Sequence, residues 1–171
     1  MDRTPNLGFL TVQQEPAGWI GALLITNHWG RPLEFHITSP VLPSRIQQIL
    51  YGPTWTAYVC GEVLAKALLE KVTVPLNFVI TDIPEVVANE AVTVPLLFLE
   101  TNPNSETGIP GVCLLTTDSC QLILPQSQTS QEQTIRNLLS TLSALDFAEP
   151  FDRLREAIRE SRRLGVTARA A

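Results

Sequence analysis

Charged side chains are scarce in this chain, making up 17% of its 171 residues, against about a quarter in an ordinary globular domain. What charge there is leans acidic, with a formal net of −5, and that argues against a strongly basic nucleic-acid binder. Histidine occurs only at His28 and His36, and cysteine only at Cys60, Cys113 and Cys120. The cysteines stand 53 and 7 residues apart, which fits neither a CxxC redox pair nor the short ligand pairs of a structural zinc site. No GxxxxGK[ST], GxGxxG or GxSxG string occurs, so the common phosphate cradles and the hydrolase elbow are absent. Apolar runs stay far below the ~20 residues that cross a bilayer; the longest, VPLLFL at 94–99, has strand length. The opening MDRTPNLGF lacks the basic and apolar parts of a secretory signal. These absences lead us to expect a soluble cytoplasmic protein in a reducing compartment, without a membrane span.

What is present is enough for one globular domain: 44% of the residues are apolar, and a chain of this size buries on the order of 70% of its unfolded surface. Three extended segments come first, at 7–14, 19–27 and 31–39. Turn residues separate them, with Gly30 free to take a positive φ. In the third, Leu33, Phe35 and Ile37 alternate with Glu34, His36 and Thr38, which predicts an antiparallel meander with the apolar set on a core.

Helical signals follow. Ser44 with Gln47 has capping-box spacing and opens a short helix through Tyr51, which Gly52 and Pro53 close. Thr54 is placed to cap a longer helix over about 55–71, where Val59, Val63, Leu64, Ala67 and Leu68 make one stripe and Glu62 with Lys66 a solvated pair. Strand-like segments then run over 74–81, 91–99, 111–116 and 119–124, with 82–85 reading as a turn or short helical start. Ser130 and Gln133 repeat the capping spacing before Ile135, Leu138, Leu139, Leu142 and Leu145. Pro150 begins a last helix, with Leu154, Ile158 and Leu164 as its stripe and Gly165 as its end; 166–171 reads as frayed. The order βββααββββαα predicts an α+β fold with a mainly antiparallel sheet of about seven strands, in a 3 + 4 arrangement. We expect residues 1–149 and the arginine-rich 150–171 to form one domain.

This order resembles that of longin, roadblock and profilin-like modules, which set helices against a meandering sheet, although no shared motif carries the likeness. The strings GRPLEFHIT and RIQQILYGPT are similar to uncharacterised bacterial proteins.

Several residues could carry chemistry. Cys60 falls near the start of the long helix, where the dipole favours thiolate, and His36 or His28 could serve as its base. Its neighbours Val59 and Leu64 equally suit burial as a small hydrophobe. Glu34 and His36 share a strand face, but alternation alone places them there, so we expect neither a metal nor a cofactor. The helix start in YGPTWT, with Arg45 and Lys66 nearby, is a place for an anion, though capping accounts for Gly52 and Thr54 without one.

The charge is unevenly spread. Residues 150–171 carry a net of +3 and the remainder −8. The arginines there either complement the helix dipole and lace its exposed face or dock an acidic partner. Aromatics cluster at turns and helix starts, and charge depletion with aromatic enrichment marks the centres of protein interfaces. The expected surface joins Trp29 and Arg31 at a hairpin tip, Arg45, Tyr51, Trp55 and Tyr58 in the 45–58 segment, and Arg155, Arg159, Arg162 and Arg163 on the last helix. It implies a non-catalytic protein–protein interaction module, self-associating or a small accessory subunit of a larger complex, with nucleic acid disfavoured by the acidic body. The alternatives are a small-molecule or nucleotide sensor at the 51–56 corner and a cysteine-dependent hydrolase.

Overall fold

The computed structural model describes residues 4–89, 92–102 and 108–165. Seven strands form one sheet: β1 (Leu7–Glu15), β2 (Gly18–Thr26), β3 (Pro32–Ile37), β4 (Phe78–Thr81), β5 (Leu96–Glu100), β6 (Gly111–Thr116) and β7 (Gln121–Pro125). Their lateral order is β3-β2-β1-β4-β5-β7-β6. β1, β2 and β3 make the expected antiparallel meander, and Gly30 takes φ +75° in the turn before β3.

The fold is α+β, but the sheet is mixed, which corrects the expectation of a mainly antiparallel one. β4 inserts parallel to β1, and β5 parallel to β4. The cause lies in which faces are covered. β4 and β5 are buried along their whole length, as parallel strands covered by helices on both faces are. Phe78, Ile80, Leu97 and Leu99 feed one core, while Val79 and Leu96 feed the other. A parallel neighbour requires a crossover. The helices between β3 and β4 supply the first, and α4 (Pro84–Val87) supplies the second. This one-turn helix adds an element to the predicted order, at a place the sequence marked as a turn or helical start.

The first crossover begins with α1 (Arg45–Tyr51). Its capping box is formed, with the Ser44 hydroxyl accepting from the Gln47 amide and the Gln47 side chain accepting from the Ser44 amide. A 3-10 turn (Gly52–Thr54), α2 (Trp55–Ala57), a π-helical stretch (Tyr58–Ala65) and α3 (Lys66–Leu69) follow. The expected single α-helix is therefore broken, and Thr54 does not cap it, because its hydroxyl donates to the Tyr51 carbonyl. Widening at the π stretch still buries Val59, Cys60, Leu64 and Ala65 against the sheet. At Gly61 a Cβ would lie 3.2 Å from Asn89 and 3.3 Å from the Glu85 carbonyl oxygen. The bare backbone there lets Asn89 donate to the Gly61 carbonyl at 2.7 Å. Lys66 pairs with Glu70 at 4.0 Å, in place of the expected Glu62.

A 3-10 segment (Gln126–Gln131), α5 (Glu132–Ser140) and α6 (Glu149–Arg163) cover the opposite face. The second predicted capping box is absent, since Ser130 lies inside the 3-10 segment and Gln131 precedes α5. Phe151, Leu154 and Ile158 are buried, and Phe151 meets Phe9 edge to face at 5.8 Å. Leu164, expected in that stripe, is exposed. Gly165 closes the helix at φ +69°, and the tail expected to fray, 166–171, lies outside the described residues. Among the described residues no helix is long and apolar enough to cross a membrane.

Candidate functional site

The polar groups that might do chemistry are dispersed. Cys60 is only 1% exposed, and burial, with Glu85 nearby, pushes its thiol up to about 12. Among the described residues no hydrogen bond joins it to His28 or His36. His36 instead contacts Glu34, Nε2 to Oε2 at 2.7 Å. Glu34 also accepts from the Thr73 hydroxyl, the Thr73 amide and the Val74 amide, so it ties β3 to the loop entering β4. The Thr73 hydroxyl, then His36, holds its carboxyl down at about 2. Among the described residues no group of three or more histidine, cysteine, aspartate or glutamate side chains is arranged to hold a metal.

A cleft of about 1090 Å³ lies between the loops around Leu76, Val94, Pro110 and Gln128. Among the described residues lining it, none carries an acid, a base or a thiol. Its described lining suits an apolar or amide-rich group.

The expected interaction residues fall into separate groups. Trp29 is exposed at the β2–β3 turn, with the Arg31 guanidinium 5.7 Å from its ring centre. Tyr51, Trp55 and Tyr58 form one aromatic cluster: Tyr51 and Tyr58 are stacked at 4.3 Å, and Trp55 lies 5.7 and 5.9 Å from them. The contact with Tyr58 raises the Tyr51 phenol above its ordinary value. The arginines of α6 are engaged by carboxylates. Arg155 meets Asp82 at 2.5 Å, Arg159 meets Glu156 at 2.7 Å, Arg163 meets Glu160, and Arg162 meets Glu15. The hairpin tip and α6 meet where Arg153 donates to the Gly30 carbonyl at 2.9 Å, whereas the Tyr51–Tyr58 cluster has no hydrogen bond, ion pair or ring contact with either among the described residues.

The arginine surface is thus internally neutralised; Arg155 ties α6 to the end of β4 through Asp82, and Arg162 ties it to β1 through Glu15. Burial raises the Asp82 carboxyl despite the opposing pull of Thr11 and Arg155. That makes the Asp82 pair a structural junction.

The feature that sequence reasoning missed is the outward apolar face of the predicted helix α1. The helix buries no residue, and Ile46, Ile49 and Leu50 are 69%, 65% and 77% exposed. With exposed Leu42 before it, the helix turns an apolar i, i+3, i+4 stripe to the outside. Beside it runs a groove of about 570 Å³, bounded by Leu42, Gln48 and Pro53 and by Trp19 and Trp55, with the β1–β2 turn on its far side. Arg45 lies exposed on the same helix, and Tyr51 at its end belongs to the aromatic cluster. The signal was present in RIQQILY, but a stripe of this kind ordinarily faces the core. Nothing local says that no core lies beneath it.

Compared with known proteins, the chain matches no family model and no curated sequence.

Proposed function

We propose that this protein works by association with another protein chain, as an interaction module or accessory subunit, and that α1 with its flanking groove is the docking surface. The observation that carries the reading is the exposed face of α1. A seven-residue helix is below the ~12–15 residues that hold together alone in water, so a helix that buries nothing is poorly stabilised until something covers it. Helix-in-groove recognition uses this anchor spacing. Tyr51, Trp55 and Trp19 are partly buried, with Trp19 and Trp55 lining the groove, and supply the aromatic ground on which interface hot spots concentrate. The buried Cys60 thiol, raised to about 12, supports this reading over a cysteine-dependent hydrolase. The capping and aromatic contacts of the 51–56 corner account for its residues without a nucleotide.

The test is a photo-crosslinking side chain at Ile49, introduced into the full chain in its native cell, with the same group at exposed Lys71 as control. The expected result is one discrete protein adduct from Ile49 and none from Lys71. No adduct at Ile49, from a chain that is folded and abundant, would overturn the reading.

A further inference from the structure

We infer that α1 docks on α1 of a second copy of this chain, antiparallel about a two-fold axis near Gln48. The inference rests on the reading that α1 is a docking surface, and it names what docks there.

Arg45 carries the choice of occupant. Arg31 lies against the Trp29 ring, and the remaining described arginines each meet a carboxylate. Among the described residues Arg45 is the one arginine with no carboxylate, carbonyl or ring partner. It is exposed in the first turn of α1 and borders the apolar stripe. A helix dipole favours acids at the N-terminus and bases at the C-terminus. α1 has the reverse: its one charge is a cation at the start, its first turn holds no acid, and its last turn holds no base.

An antiparallel second copy gives the unpartnered cation a place and the bare last turn its base. Each Arg45 then lies beside the C-terminal turn of the other α1, and no like charge opposes it. Parallel packing would set the two guanidinium groups side by side, and an axis moved toward the N-terminus would do the same. With the axis near Gln48, residue 45 falls across from residue 51 and Ile46 across from Leu50, twice, with Ile49 next to the axis. Apolar residues at i, i+3 and i+4 form the ridges through which helices pack. RIQQILY contains no carboxylate, so the pair buries none. Such a contact is self-complementary and closed. The β3 face differs. Leu33 and Phe35 are exposed there, and only Ile37 reaches the main cluster, against the expectation that the whole set would pack on the core. Glu34 and His36 are paired with each other, so among the described residues of that strand no free charge selects an occupant.

The test uses the purified full chain. A patch of this size makes a weak dimer, which should form reversibly with concentration in sedimentation velocity. Ile46→Glu and Leu50→Lys each replace an exposed side chain, and each should weaken the dimer about tenfold or more. Mixed one to one, the two variants should restore it. The new carboxylate of one copy then faces the new ammonium of the other, and the second contact across the axis keeps its native Ile46 and Leu50. A parent chain that stays monomeric to about 1 mM overturns the inference, as does a dimer that neither substitution weakens or that the mixture fails to restore. If a variant loses its native circular dichroism, the photo-crosslinker at Ile49 decides in the purified chain. An adduct of two copies supports the inference, and no such adduct overturns it. The docking reading fails separately: an Ile49 adduct to a different protein in the cell, with a monomeric purified chain, keeps that reading and sinks this inference.

Discussion

Glu34 shows how much one side chain can connect. A β3 carboxylate receives Thr73, Val74 and His36 at once and is held down at about 2, from an ordinary 4.5. A depressed acid contributes stability above its unfolded value and loses it as pH falls through its folded one. The window is therefore 4.5 down to about 2. Glu34→Gln should lower the thermal midpoint at neutral pH and flatten its fall across that window, as read by thermal unfolding at stepped pH. Asp82 works in the opposite sense. Burial raises its carboxyl, so its contribution is greatest when protonated and declines as pH rises past the ordinary 3.8. Cys60 gives a second check at this scale. Native thiol titration at neutral pH should show Cys113 reacting quickly and Cys60 only on unfolding, because its thiol sits near 12. A fast Cys60 would favour the hydrolase alternative.

Among the elements, α1 and α6 are opposites. Both carry apolar residues at helical spacing, but α6 places Phe151, Leu154 and Ile158 in the core while α1 places Ile46, Ile49 and Leu50 in solvent. Phe151→Ala should cost about 3–5 kcal/mol by chemical denaturation. Ile49→Ser in the isolated chain should stay within about 0.5 kcal/mol, as a surface substitution does. A large loss at Ile49 would mean that α1 is packed after all. Arg155→Ala should cost on the order of 2 kcal/mol, because it strands the half-buried Asp82, whereas Arg159→Ala should cost little.

The same comparison shows what was legible in the sequence. The meander, the capping box at Ser44, the turn at Gly30 and the buried stripe of α6 follow from local chemistry, and local chemistry was sufficient. The parallel pairs were missed because strands were read by their order in blocks. The continuous apolar runs FVIT and LLFL are the mark of strands covered on both faces. The π stretch carries a contact that no local pattern reveals, with Asn89, 28 residues distant in the chain, donating to Gly61. The arginines of the last helix were legible as charges but their long-range pairs were not, since Glu15 reaches Arg162 from β1 and Asp82 reaches Arg155 from just after β4.

At the scale of the whole molecule, the shortage of charge and the internal pairing of α6 leave apolar ground as the main adhesive surface. Association should then respond weakly to ionic strength, because screening acts on exposed charges and not on buried apolar area. An affinity that collapses on raising salt from low to physiological would place the contact on the arginines instead.

Hydrogen exchange at the amides of α1 tests the central claim most directly, compared between the dilute isolated chain and the assembly isolated under native conditions. The account predicts rapid exchange at Ile46, Ile49 and Leu50 in the isolated chain and strong protection in the assembly. Equal exchange in the two states would contradict it.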